Sequence, residues 1–216
     1  MFYDPDKADH GLPWNPFKAL VTPRPIGWIS TVDAEGVANL APYSFYNAVA
    51  SDPPYVMFCI GGLNDKRPRK DSLTNAEATG EFVVNIVGLA HADAMNRSAE
   101  WVGSEVDEFE LVGLEKEPSV RVKAPRVKGA PAHLECTYHQ TVTLPCTTPG
   151  YVNSIVIGKV VGIHIDDSVI DERGAVDVLR YRPVARMGYL DYAKIDELMN
   201  IEKVTTRKEG PRYAAE

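Results

Sequence analysis

The run KRPRKDS at 66–72 sets four cations, Lys66, Arg67, Arg69 and Lys70, directly ahead of DSLTNAEATG at 71–80, which reads as a short helix. A helix start offers unpaired N–H donors and a partial positive charge, and adjacent basic side chains strengthen that field. Asp71 can cap the helix or orient the loop, and Ser72 can lend a hydroxyl. The chemistry such a corner suits is phosphate binding. The competing reading is a solvated basic turn.

A second concentration lies at 24–54, RPIGWISTVDAEGVANLAPYSFYNAVASDPP. It combines small and hydroxyl residues (Ser30, Thr31, Ala41, Ser44, Ser51), the amide of Asn39, and the aromatics Trp28, Tyr43, Phe45 and Tyr46. A planar aromatic ligand needs apolar flanks together with donors to its ring carbonyls and nitrogens. The alternative is a hairpin whose aromatics only pack a core.

Other chemistries fit less well. His133, Cys136, His139 and Cys146 resemble a metal set when written in a row. If 133–144 is a strand, the two histidines share a face about 20 Å apart at ~3.3 Å per residue, while Cys136 faces away. They cannot share one ion, and Cys136 reads as a small buried apolar residue. No G-x-S-x-G elbow is present for a serine nucleophile, and neither G-x-G-x-x-G nor G-x-x-x-x-G-K-[ST] occurs.

The elements that must position these groups belong to a chain of 216 residues, 44% hydrophobic and 25% charged, which predicts one globular domain over 1–216. The net charge of −7 argues against a nucleic-acid binder, whose affinity comes from neutralising phosphates. The N-terminal segment has no basic region followed by an apolar core, no run is long enough for a membrane span, and the three cysteines suggest no disulfide framework. A reduced, cytoplasmic protein is expected.

Residues 1–20 carry several prolines and predict an irregular arm. Six strands are expected at 26–32, 37–42, 55–60, 81–87, 133–144 and 152–165, with YVMFCI at 55–60 buried on both faces. Helices are expected at 71–80, ended by Gly80, and at 90–100, with loops around short elements at 105–131. A C-terminal helix at 191–199 and a charged tail complete the region 190–216. Mainly β with peripheral helices, the pattern predicts an antiparallel β-barrel.

Several segments, taken in order, carry a resemblance: R-P-I-G-W-I-S-T (24–31), N-L-A-P-Y-S-F-Y-N (39–47), S-D-P-P (51–54), R-K-D-S-L-T-N (69–75), G-E-F-V-V-N-I (80–86) and Y-R-P-V-A-R-M-G (181–188). H-L-E-C at 133–136 and I-V-I-G-K-V-V at 155–161 extend it. The chain resembles the flavin reductase-like family of FMN-binding split-barrel proteins over about residues 20–190. The resemblance implies a six-stranded Greek-key split barrel that forms a homodimer, with FMN near the interface. Carried over by position, Asn39, Ala41, Pro42, Tyr43 and Ser44 are implied at the ring and ribityl chain. Arg69, Lys70, Asp71 and Ser72 are implied at the phosphate, and Thr31, Asn47 and Arg186 are further candidates. It also implies electron transfer from NADH or NADPH to flavin or a downstream acceptor, with a monooxygenase or redox protein as partner. The rival readings are an FMN-bearing carrier reduced by another protein, as in flavoredoxins, and a binding module without redox chemistry. The segment TLPCTTPGYVNS at 143–154 departs from the charged short turn of the family pattern, so specificity does not carry over.

Overall fold

The computed structural model describes residues 1–7, 9–63 and 69–201, with the backbone alone described at 63. Lys66 and Arg67 lie outside the described residues, as does the tail from 202 onward. The N-terminal arm is irregular apart from one turn, α1 (Phe17–Leu20). Seven strands then form a single antiparallel sheet: β1 (Gly27–Val32), β2 (Ala38–Tyr43), β3 (Tyr46–Ser51), β4 (Pro54–Leu63), β5 (Glu81–Ile86), β8 (Ala132–Leu144) and β9 (Tyr151–Ile165). Between β4 and β5 lies α2 (Asp71–Thr79), and α3 (Ala92–Arg97), α4 (Glu108–Val112), β6 (Lys116–Glu117) and β7 (Arg126–Val127) fill the connection from β5 to β8. A one-turn α5 (Val178–Tyr181) precedes the hairpin of β10 (Val184–Arg186) and β11 (Tyr192–Lys194).

The sheet order is β2-β1-β5-β8-β9-β4-β3. Its two edge strands are consecutive in sequence, separated only by Ser44 and Phe45. Three peptide steps reach at most ~11 Å. Opposite edges of a flat seven-stranded sheet would stand ~29 Å apart at ~4.8 Å per strand. The sheet must therefore curl until its edges meet, and residues 44–45 cross the seam. The Cys59 amide donates to the Phe45 carbonyl at 2.7 Å, which extends the β3–β4 pairing up to the crossing. The barrel is closed by the chain itself there, which is the physical content of a split barrel.

Six of the seven strands are those expected. The seventh, β3, is YNAVAS, in which only Tyr46 is even half-buried, so no apolar alternation marks it. Strand β4 is not buried on both faces: Val56, Phe58 and Ile60 are buried, while Tyr55, Met57 and Cys59 are half-buried. Its second face turns partly toward a cleft. The barrel interior is filled by Ile29, Phe58, Phe82, Val84 and Val156, plugged at one end by Leu73 and Ala76 of α2. Cys136 is part of this core, and burial pushes its thiol pKa upward, as suits a small apolar filler.

Two local expectations are corrected. The C-terminal helix over 191–199 does not form. Residues 192–194 pair with 184–186 instead, and a tight turn closes the hairpin, with Met187 N–H donating to Asp191 O at 3.0 Å. Strand pairing satisfies those backbone groups and lets the Arg186 guanidinium stack 4.4 Å from the Tyr192 ring centre. At α2 the N-cap position belongs to Lys70, in extended conformation, and Asp71 is the first helical residue. There its charge opposes the helix dipole favourably. Gly80 ends the helix as expected, at φ 75° with its N–H on Ala76 O.

Candidate functional site

The seam between β2 and β3 opens into a cleft of about 820 Å³. That volume falls in the ~300–1,000 Å³ range of small-molecule sites. Pro42, Tyr43 and Ser44 form its seam wall, Cys59 and Ile60 of β4 its floor, and Arg186 and Tyr189 of the C-terminal hairpin the far side. A recess of about 90 Å³ shares Pro42, Tyr43 and Lys70 with the cleft and continues to Asn39, Ala41, Asp71 and Ser72. Of the two, the recess has room for a small polar group and the cleft for a ring system.

Most of the predicted residues therefore converge. Asn39, Ala41, Pro42, Tyr43, Lys70, Asp71 and Ser72 line the recess, and Ser44 and Arg186 line the cleft. Three do not. Arg69 pairs with Glu77 on α2 and faces the neighbouring grooves. Asn47 is exposed on β3, its Oδ1 accepting from Ala48 N–H at 2.9 Å. Thr31 is buried behind the site, its hydroxyl accepting from Asn75 Nδ2 at 3.1 Å. The aromatics also divide: Trp28 is fully buried core, whereas Tyr43 and Phe45 reach the cleft.

The recess is held by a polar network that ties three elements together. Glu108, at the start of α4, is 4% exposed. Its carboxylate accepts from Asn39 Nδ2 at 3.0 Å and from Leu40 N–H at 2.9 Å. With the amide NH₂ committed to Glu108, Asn39 Oδ1 must face the other way, where it accepts from the Ser72 hydroxyl at 2.8 Å. The one proton of Ser72 is thus spent on Asn39, and Ser72 serves the recess as scaffold and through its backbone N–H. Removal of water from around its hydroxyl pushes the Tyr43 pKa up to about 12. Tyr43 therefore stays a protonated phenol at neutral pH.

Lys70 stands at the mouth of the recess with Nζ 3.7 Å from the centre of the Trp101 ring. A cation over an indole face is attracted by the ring quadrupole, so Trp101 holds the ammonium where the recess and cleft meet. Sequence reading missed both Glu108 and Trp101. A signal for Glu108 existed: Asp107 caps α4 by accepting from Phe109 N–H at 2.9 Å, and Phe109 and Val112 are its buried anchors. That D-x-F spacing marks one of the short elements expected among the loops of 105–131 as a helix. Nothing in the sequence marks Trp101. The histidines go elsewhere: His133 Nε2 meets Val127 O at 2.9 Å, and His139 packs on Tyr55. Among the described residues, no group of three or more His, Cys, Asp or Glu is arranged to hold a metal.

The family model described as flavin reductase like domain matches residues 20–185. An uncharacterized protein of Aquifex aeolicus is 39% identical over 175 residues, covering 81% of this chain and 86% of that one. The crystal structure of nitrilotriacetate monooxygenase component B from Bacillus cereus superposes with TM-score 0.84 at 28% identity, covering 93% of this chain and 98% of that chain. A 2-nitrobenzoate 2-nitroreductase from Pseudomonas fluorescens gives TM-score 0.80 at 25% identity, with coverage of 97% and 99%.

Proposed function

This chain belongs to the flavin reductase like domain family, and from that membership we propose that it is an FMN-binding oxidoreductase that takes electrons from NADH or NADPH. The carrying observation is the joined pair of spaces: a ring-sized cleft opening into a small polar recess headed by Lys70 and the N-terminus of α2. The residues present fit FMN. Lys70 and the first N–H groups of α2 would take its phosphate, and the run Ala41–Ser44 would lie along its ring. FMN would supply the hydride-accepting chemistry, so the protein needs no acid–base triad. Reduced flavin, or its electrons, would pass to an oxygenase component or another redox protein.

The test is the visible spectrum of the purified protein, followed by addition of NADH and NADPH without oxygen. A yellow protein that bleaches is expected. One that stays yellow removes the nicotinamide donor and leaves a carrier reduced by a partner protein, and one with no affinity for FMN ends the proposal.

A second copy completes the site in this reading. The cleft is open, and a bound tricyclic ring on a single wall would stay largely wet, whereas good sites bury most of their ligand. Strand β3 beside it exposes five of its six residues, with Val49 at 52%. Sedimentation across a dilution series, with and without FMN, is expected to show a homodimer that FMN stabilises; a monomer binding FMN at full affinity would refute it. No helix among the described residues is long and apolar enough to cross a membrane. The three free cysteines suit a reducing compartment, which supports the cytoplasm as the setting in this reading.

A further inference from the structure

The cleft is electrostatically one-sided. Lys18, Arg24, Lys70 and Arg186 all line it, and no Asp or Glu among the described residues does, in a chain whose net charge is −7. Lys70 belongs to the recess end. The other three cluster where the N-terminal arm meets the C-terminal hairpin, and none of them has a carboxylate partner among the described residues.

Arg24 and Arg186 are paired across a short antiparallel bridge, Arg24 N–H to Arg186 O at 3.0 Å and Arg186 N–H to Arg24 O at 2.9 Å. Arg24 is 6% exposed as a residue, and its guanidinium binds three carbonyls, those of Lys18, Val21 and Met187, which pins the arm to the hairpin. Its Nε has no hydrogen-bond partner. Burial, and then the nearby Arg186 charge, pull the Arg24 pKa below its ordinary value, as expected for cations that face each other without an anion between them. Among the described residues the Arg186 guanidinium donates only to Tyr189 O and stacks on Tyr192, so most of its donors remain available. Carbonyls solvate such charges but do not neutralise them.

We infer that the end of the cleft walled by Lys18, Arg24 and Arg186 is an anion subsite, separate from the Lys70 recess, that holds the oxyanion group of a second ligand sharing the cleft with the flavin. Arg24 positions the subsite by fixing the arm, and Arg186 and Lys18 supply the contacts. Two sources carry that chemistry, the pyrophosphate of a nicotinamide dinucleotide and the carboxylate of an organic acceptor. The inference deepens the proposed function and rests on it for the nature of the second ligand.

The experiment titrates pyrophosphate and, separately, benzoate into wild type, Arg186→Gln, Arg186→Lys and Lys18→Gln by calorimetry, with FMN present to fill the recess and again without it. Arg186→Gln is expected to weaken at least one of the two anions by ~10-fold, with Arg186→Lys recovering most of the loss and Lys18→Gln showing a smaller one. Loss for pyrophosphate identifies the dinucleotide as the source; loss for benzoate alone identifies the acceptor. With the first, the rate of bleaching by NADH relative to 1-benzyl-1,4-dihydronicotinamide, a donor without phosphates, falls by a similar factor. Equal binding of both anions to wild type and Arg186→Gln, in proteins of matching circular dichroism, overturns the subsite. So does a loss that Arg186→Lys does not recover, because that marks a structural role. A protein that no donor bleaches refutes the oxidoreductase reading while the titrations still decide the subsite.

Discussion

Replacing Lys70 by alanine is expected to weaken FMN binding ~10- to 100-fold while leaving riboflavin binding nearly unchanged. A charge-assisted hydrogen bond to phosphate contributes about 1.5–3 kcal/mol, and among the described residues Lys70 is the cation that lines the recess. Arg69, one residue earlier, is occupied by Glu77 and turned to other grooves. Ser72 donates its hydroxyl hydrogen bond to Asn39, so in the proposed reading the α2 amides and Lys70 would carry the phosphate together. The alanine variant also strips the cation from the Trp101 face, freeing the indole at the recess mouth. Isothermal titration with the two flavins separates these effects. Equal losses for FMN and riboflavin would show that the residue shapes the loop and does not contact phosphate.

The difference between Arg69 and Lys70 shows where sequence stops being informative. Both are basic, and both precede the same helix. What separates them is that Lys70 is the extended residue at the N-cap while Arg69, one step outside, reaches back along α2 to Glu77. That choice depends on helix phase, and the phase is off by a single residue from the one expected with Asp71 as cap. Gly80, by contrast, was legible because its left-handed conformation is a local requirement. Six strands were legible for a similar reason, since their apolar runs are long. Strand β3 was not, because it is held by backbone pairing with β4 and buries almost nothing.

The candidate site divides the same way. The run Asn39–Ser44 could be identified by residue type, and the fold places it on the seam where the curled sheet meets itself. The partner that orients Asn39 could not, because Glu108 lies 69 residues away on a helix of five residues. The C-terminal hairpin was hidden behind an apolar pattern over 191–199 that also suits a helix. Pairing with Val184–Arg186 decided against it, and it is this pairing that sets Arg186 beside Arg24.

Replacing Glu108 by alanine is expected to cost about 2–4 kcal/mol of stability, because it leaves two buried donor groups, Asn39 Nδ2 and Leu40 N–H, without an acceptor. Both lie on β2, so the recess wall loosens, and affinity for FMN and riboflavin should fall together, unlike the Lys70 variant. The loss should also depend on pH in a definite direction. Burial raises the Glu108 pKa above its ordinary value, and the Asp71 charge acts in the same sense, against the hydrogen bonds from Leu40 and Asn39. A carboxyl whose pKa is raised on folding favours the folded state most at low pH, where it is protonated, and loses that contribution as pH rises through the folded value. Alanine removes the titration. The stability gap between wild type and Glu108→Ala should therefore be larger at the acid end of a denaturation series from about pH 4 to pH 8 and shrink toward the alkaline end. A gap that widens with pH would mean that the network holds Glu108 as an anion, with the hydrogen bonds from Asn39 and Leu40 outweighing desolvation.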